Sequence, residues 1–482
     1  MSIGSIIDRR TMSTGRMTLF AVHASGPLVV LIGGITAAYA ASGSPGVPLG
    51  FLLVIGVLWL NSEGYAALSR RVPHAAPYYA VITRGLGRPA GVGAGFLALT
   101  AYGSIICCMY GFLGGWMAMM LGGHWWWYSL AGWAIITMLG VRPIVVSSWL
   151  LGISLAIAAI FIGLLIIAGI SHPADSSVSW TGFTWHALMV GSLAPALVMC
   201  VASPLGFDAA QSFSTEAVHP EGPRRAQRAA LAILGVGYAI LAWAIGLANG
   251  PSKVAGLAAD PSVGVPLNTM TDQYGFLMGP VTELAVVFGI LATVLTVHAI
   301  CARYGYAMAA ERVVHRSVAH TGTGEIAGSP VGGSLLQSAI GLVAIVGFAV
   351  AGVDPILQMF SWLATVGAMG LVALLVASSL AAMRYLKRED GWWARWCAPL
   401  LGLPGGLLLL FLMVTNSAVL LGSGPGSILP IVIPSVLLLA FVGGAGWAIF
   451  LRAKHPRVYA NISHNVPDWL EVPDRRLAAM KL

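Results

Sequence analysis

Charge is what this chain has least of. Only 9% of its 482 residues are Asp, Glu, Lys or Arg, against 58% hydrophobic, whereas a soluble chain carries about a quarter charged. That deficit excludes a water-soluble globular protein and points to an integral membrane protein. Lysine is nearly missing, with arginine ahead by 21 to 4. Cysteine is sparse as well. Cys107, Cys108, Cys200, Cys301 and Cys397 lie in or beside apolar runs without metal-ligand spacing, so they read as reduced packing residues. No D-x-x-D, H-x-x-x-H or G-x-x-x-x-G-K pattern occurs, and the acidic residues are scattered. A membrane acyl or prenyl transferase would need such a cluster, so no enzyme activity, metal or cofactor is expected. The polar start (Asp8, Arg9, Arg10, Arg16) and the shape of the first apolar run do not match a cleavable signal.

What the chain does have is apolar stretches of spanning length, roughly 20 residues each. Twelve are expected, at 17–41, 49–69, 89–121, 125–141, 144–170, 187–213, 226–249, 279–309, 331–351, 355–383, 397–420 and 428–451. With that count 24 of the 25 basic residues fall on one face, and Lys253 alone on the other. Basic excess marks the cytoplasm, so both termini are expected there and the protein in the plasma (inner) membrane. The net charge of +8 then serves topology and anionic lipid. It calls for no nucleic acid. The loops at 70–88, 214–225 and 310–330 become the main cytoplasmic connections, and 171–186 and 250–278 the long outer ones.

Two of the runs are interrupted. Ala202-Ser203-Pro204-Leu205-Gly206 lies inside the sixth, followed by Phe207 and Asp208, and His23-Ala24-Ser25-Gly26-Pro27 lies inside the first. Proline removes a backbone donor and clashes with the preceding turn. In lipid the freed groups find no water, so such breaks survive only in protein-lined interiors. Paired Gly/Pro-interrupted spans are a sequence pointer to a transporter site, where half-helix ends meet the substrate. Breaks in spans 1 and 6 imply a five-plus-five repeat of opposite topology. On that reading 1–16 is a cytoplasmic segment, 17–170 the first repeat, 187–383 the second, 397–451 an appended pair and 452–482 a cytoplasmic tail.

Four stretches carry a resemblance. Leu205-Gly206-Phe207-Asp208-Ala209-Ala210 with Thr215-Glu216-Ala217-Val218-His219-Pro220 and Arg224-Arg225 resembles the sixth helix of amino acid–polyamine–organocation permeases. Tyr65 to Pro73 with Tyr78-Tyr79 and Arg84-Gly85-Leu86-Gly87 is similar to that superfamily's junction of helices two and three. His298 with Ala302-Arg303-Tyr304-Gly305-Tyr306-Ala307-Met308 is similar to its eighth-helix signature, and Ser329-Pro330 to the opening of its ninth. Three features depart from the pattern. The first-helix G-S-G-I-F is absent, Ser25-Gly26-Pro27 or Gly33-Gly34 standing in its place. Glu63 lies earlier than the usual acidic residue, and Ala310-Glu311-Arg312 replaces the usual R-D-G.

The resemblance implies an all-α membrane protein of the LeuT-type fold, a permease moving an amino acid or related amine by alternating access. Alternatives are a polyamine or organocation permease, an exchanger and, from another class, a membrane enzyme or a non-transporting sensor. It implies a substrate carboxylate at the amides around Gly26 and Leu28, and an ammonium near the carbonyls of His23, Ala24, Ala202 and Ser203. Pro27, Pro204, Leu205 and Gly206 shape the gap. Ser25 and Ser203 either touch substrate or bond back to their own helix. Phe207 is either an aromatic lid or a lipid-facing ring. Tyr102, Ile105, Met109 and Trp362 are candidates for the far wall. With no second acidic residue placed for a diamine, a neutral amino acid is expected.

Ionisable groups at membrane depth are functional candidates. Asp208 either caps amides or couples transport to protons. Glu63 is expected to reach Arg70 or Arg71, and Glu216 to form a gate with Arg224 or Arg225. His298 either titrates or is a satisfied core residue. Thr293 and Thr296 either bind an ion or bond to their own carbonyls. Helix 5 has no ionisable residue where many proton-coupled relatives carry a lysine. That leaves proton coupling through Asp208, Glu63 or His298, exchange, or uniport; proton symport is the expectation, and sodium coupling is not.

Overall fold

The computed structural model describes residues 11–142, 144–260, 263–424 and 426–464, without the side chains of 144–147 and 325. The first ten residues and the last eighteen of the two terminal segments lie outside the described residues. All regular structure among these residues is helical, with no strand. Eleven helices are long and apolar enough to cross a membrane. A further helix, Trp125–Gly140, has 16 residues. An all-helical fold meets the demand of a bilayer, since helices satisfy their backbone donors and acceptors within the segment.

The first span begins with α1 (Thr14–Ala24), where the Ser13 hydroxyl accepts from the Arg16 amide. It breaks at Ser25 and Gly26, then resumes as α2 (Pro27–Val29), a π-helical turn over Val30–Gly34, and α3 (Ile35–Ser42). Proline at the first helical position fits this restart, because its missing N–H has no partner there anyway. Next come α4 (Val47–Arg71), the short α5 (Pro77–Leu86), α6 (Arg88–Leu121), α7 (Trp125–Gly140) and α8 (Ile144–Ser171). The expected loop 70–88 thus contains a helix, which packs against α6 and against α16 (Ser361–Tyr385).

The second broken span differs from its expected limits at the start. A separate helix, α9 (Trp185–Val190), is followed by α10 (Leu193–Ala202). Between them Gly191 passes so close to Ser42 that a β-carbon would lie 2.1 Å from its carbonyl oxygen. Ser192 N–H donates to that same oxygen at 2.8 Å. After the break at 203–206 the chain continues as a 3₁₀ helix, Phe207–Glu216. Then follow α11 (Gly222–Asn249), α12 (Val254–Ala259), α13 (Leu267–Tyr274), α14 (Met278–Ala310) and α15 (Val331–Val350). A π-helical turn, Pro355–Phe360, leads into α16, its start capped by Asp354 accepting from the Ile356 and Leu357 amides.

The expected span 397–420 is split. α17 (Ala398–Thr415) stops at Asn416, whose amide bonds the Leu412 carbonyl at 2.9 Å, and α18 (Ser417–Leu420) restarts after it. α19 (Leu429–Lys454) and α20 (Pro456–Asn461) complete the described chain. The buried core is built from α1, α4, α6, α11, α14 and α16, whereas only 11% of the apolar window of α19 is covered. α19 is therefore a peripheral helix with an apolar outer face.

Candidate functional site

The two interruptions touch. Gly26 and Gly206 hold φ of +64° and +109°, left-handed values that glycine adopts without a β-carbon penalty. A β-carbon on Gly206 would lie 2.6 Å from the Ala24 carbonyl carbon. The second break therefore rests directly on the end of α1. A β-carbon on Gly34, in the π turn, would come within 3.1 Å of Ser203 Oγ. Neither break faces lipid, which is the condition for leaving backbone groups free of their helical partners.

A cavity of about 320 Å³ lies beside this contact. Ala24, Ser25, Ala202, Ser203 and Leu205 form its floor, Val29 to Ala37 one side, and Ile105, Cys108, Met109 and Phe112 of α6 the opposite side. Ile356 to Thr365, at the start of α16, close the remaining wall. Chain direction puts the whole cavity on one side of the breaks, away from the end of the molecule that carries α5. Among the described residues no ionisable side chain except the Cys108 thiol lines it.

The expected binding residues divide accordingly. Ala24, Ser25, Ala202, Ser203, Leu205 and Ile105 line the cavity, and Met109 joins them. Gly26, Pro27, Pro204 and Gly206 shape the turns without forming wall. His23 is buried in the last turn of α1, its Nε2 bonded to the Leu151 carbonyl of α8 at 2.7 Å. Phe207 is neither lid nor lipid-facing. It is wholly buried, because the 3₁₀ helix turns it into the core below the break. Trp362 lies off this wall, in a separate recess with Asp354 and Gln358, since the π turn before α16 rotates it out of register. The Ser203 hydroxyl does bond back, to the Met199 carbonyl at 3.3 Å. Ser25 donates to Val22 at 2.9 Å and meets the Tyr238 hydroxyl at 2.9 Å.

Below the breaks the chain buries its charges. Asp208 is 1% exposed and accepts a hydrogen bond from the Tyr102 hydroxyl. Tyr65, Tyr78 and Tyr304 surround the same carboxyl, with the Tyr65 and Tyr78 rings stacked at 4.5 Å. Asp208 Oδ1 and the Tyr78 hydroxyl each lack a well-formed hydrogen bond, and no ion pair of Asp208 occurs among the described residues. A tyrosine cage therefore stands beside the backbone groups of Gly206 and Asp208 around this carboxyl. A buried carboxyl without a cation is expensive in its charged form, which makes Asp208 a group able to hold or release a proton.

Both expected ion pairs are rearranged. Glu63 is bound by Arg228 (Nε–Oε1 2.6 Å) and Arg224 (3.0 Å) of α11, not by Arg70 or Arg71. It points sideways across the α4–α11 interface rather than along its own helix. Arg70 instead meets Glu221, and Arg71 meets Asp390 and, at 3.7 Å, Glu389. Glu216 pairs with Arg303 at 2.7 Å, whose guanidinium lies 4.8 Å over the Phe213 ring. Arg224 is thus taken by Glu63. Thr293 and Thr296 bond their own helix at Gly289 and Ala292, both at 2.9 Å. His298 Nε2 meets Ser334 Oγ at 2.8 Å, a core arrangement.

At the α5 end Glu311, just past α14, is held by His74 at 3.2 Å, by Tyr79 and by the Ser463 amide at 2.8 Å. Burial pushes its carboxyl up, but the His74 and Tyr79 hydrogen bonds outweigh that and hold it below its ordinary value. The chain matches no family model and no curated protein. The tyrosine cage and the α11 partners of Glu63 carry no local sequence signal, since Asp208 and Glu63 draw these partners from more than ninety positions away.

Proposed function

We propose that this protein is a secondary transporter that moves an amino acid or related amine across the plasma membrane by alternating access, driven by proton symport. One observation carries the reading: two broken helices touch at the floor of one cavity, so half-helix ends of opposite polarity address the same small volume. The sequence resemblance to amino acid–polyamine–organocation permeases is consistent with it. In this proposal Trp125–Gly140 is the twelfth span. At 1.5 Å per residue it is about 24 Å long, shorter than the hydrocarbon core. Its Trp125, Trp126 and Trp127 suit a membrane interface.

Spans 1–5 and 6–10 form the inverted repeat, and both termini face the cytoplasm. The α5 end is then the cytoplasmic gate, closed by the Tyr102–Asp208 contact and by the Glu216–Arg303 and Glu63–Arg224–Arg228 pairs. The cavity lies on the outer side, so the conformation is outward-facing or occluded. Opening inward requires the broken helices with α4 and α11 to rock against α6, α7, α14 and α15. Asp208 is the proton carrier, because it alone combines burial, the lack of a cation and a place directly after a break. The test is uptake of a labelled amino acid panel into proteoliposomes under an imposed pH gradient, with and without sodium. Accumulation driven by the proton gradient alone supports the proposal. Accumulation driven only by sodium, or no flux of any amino acid or amine, overturns it.

A further inference from the structure

We propose that the C-terminal segment 456–464 is a latch on the gate at the α5 end: seated, it holds that end closed, and displaced, it lets the inner side open. The inference rests on the transporter reading and adds a means of regulating it.

Chain ends are ordinarily loose unless something ties them down, and this one is tied down. Ile462 is fully buried and Ser463 is 2% exposed. Arg84 of α5 donates to the Ser463 hydroxyl and to the Ser463 carbonyl, both at 3.1 Å. Arg88, at the start of α6, donates to the Ala460 carbonyl at 3.2 Å and lies 5.2 Å over the Tyr459 ring. Trp447 of α19 donates to the Val313 carbonyl at 2.8 Å, which sets the root of the segment beside the end of α14.

What the segment grips is Glu311. That carboxyl is 1% exposed, and a buried carboxylate depends on its donors. The Ser463 amide donates to Oε2 at 2.8 Å, and the Tyr79 hydroxyl donates to the same oxygen. His74 serves Oε1. Its Nδ1 accepts from the Ala76 amide at 2.9 Å, so Nε2 carries the proton that it gives Glu311 at 3.2 Å. The His74 backbone in turn meets the Ser214 hydroxyl, donating at 3.2 Å and accepting at 3.3 Å.

Ser214 belongs to the inner half of the second broken span. One carboxyl therefore joins the tail, α5 and the end of α14 to an element that moves when the inner side opens. The Ser214–His74–Glu311 chain must part at that moment. Without the segment, Oε2 loses a donor, water reaches the buried charge and the chain parts more easily. The segment can leave without unwinding a spanning helix, because α20 starts only after the non-helical His455.

The test is thiol labelling by N-ethylmaleimide in proteoliposomes, on the full chain with its five cysteines replaced by alanine. Ser212→Cys, buried in the inner half of the second broken span, reports the inner side. Ala364→Cys, on the cavity wall, reports the outer. Three latch variants are compared, each checked for folding by gel filtration. Ser463→Pro deletes the amide donor, and Arg84→Gln gives up the guanidinium that holds Ser463. Ser463→Gly keeps the amide and suits the left-handed φ of +67° found there. The first two should speed labelling of the inner reporter about tenfold, the effect of one hydrogen bond to a charged group, without speeding the outer one. Ser463→Gly should leave both rates as they are. A rise at both reporters makes the segment a general brace and overturns the latch. Unchanged labelling beside working uptake overturns the latch alone. Absence of uptake of any amino acid or amine, by the wild type as well, overturns the transporter reading on which the latch rests.

Discussion

Gly206 and Ala24 are in backbone contact. A β-carbon on Gly206 would sit 2.6 Å from the Ala24 carbonyl carbon and 2.7 Å from its oxygen, and Gly206 holds φ at +109°. Steric room and backbone conformation thus demand glycine at the same position. Gly206→Ala is expected to abolish uptake, because strain of about 1–2 kcal/mol adds to a clash that only separating the two breaks relieves. Transport assays and the apparent melting temperature check it. Wild-type uptake by the alanine variant would show that the two breaks need not touch.

Asp208→Asn is expected to keep substrate exchange and lose accumulation driven by a pH gradient. The amide still accepts from Tyr102 but carries no proton. Tyr102→Phe should remove the hydrogen bond that α6 gives the carboxyl and shift the pH profile of uptake while retaining exchange. Comparing counterflow with gradient-driven uptake separates the two effects. A fully accumulating Asn variant would move the coupling role to Glu63 or His298.

Loss of the carboxylate from Glu63 breaks contacts to two arginines at once. Glu63→Gln is expected to lower stability by about 1–3 kcal/mol, the range for hydrogen bonds to charged groups. Arg70→Ala, which breaks a pair with Glu221 that is more than a third exposed on both sides, should cost under about 1 kcal/mol. Denaturation of the two variants side by side gives the ranking. Equal losses would remove the special place of Glu63.

The Glu311 cluster gives a pH dependence of definite sign. Its carboxyl lies below the ordinary 4.5 in the folded protein. Such a group contributes stability fully present above the ordinary value, and lost as pH falls through the folded one. Below about pH 4.5 the wild-type melting temperature should therefore fall more steeply than that of Glu311→Gln, measured in the same detergent. Parallel curves would contradict the contribution.

The breaks were legible in the sequence because proline and glycine act locally: Gly26-Pro27 and Pro204 to Gly206 interrupt helices whatever surrounds them. Apolar length likewise marked the spans. The partners of the buried charges were not legible. Glu63 has Arg70 and Arg71 within eight residues, yet α11, more than 160 residues on, supplies its guanidinium groups. Tyr102 was read as a far-wall candidate, and only the packing of α6 against the second break shows that it faces Asp208 instead. Trp362 failed for a similar reason. A π turn shifts register by a residue, and periodicity counted on an ideal helix cannot register that.

Counterflow in proteoliposomes tests the central claim most directly, because it needs no assumption about the driving ion. Vesicles carrying the wild-type chain and preloaded with an unlabelled neutral amino acid should transiently concentrate the labelled form. Ser203→Leu, which fills the gap at the cavity floor, should abolish that overshoot, while Lys253→Ala, exposed and remote, should leave it intact. A wild-type overshoot that persists undiminished in Ser203→Leu would contradict a substrate site at the helix breaks.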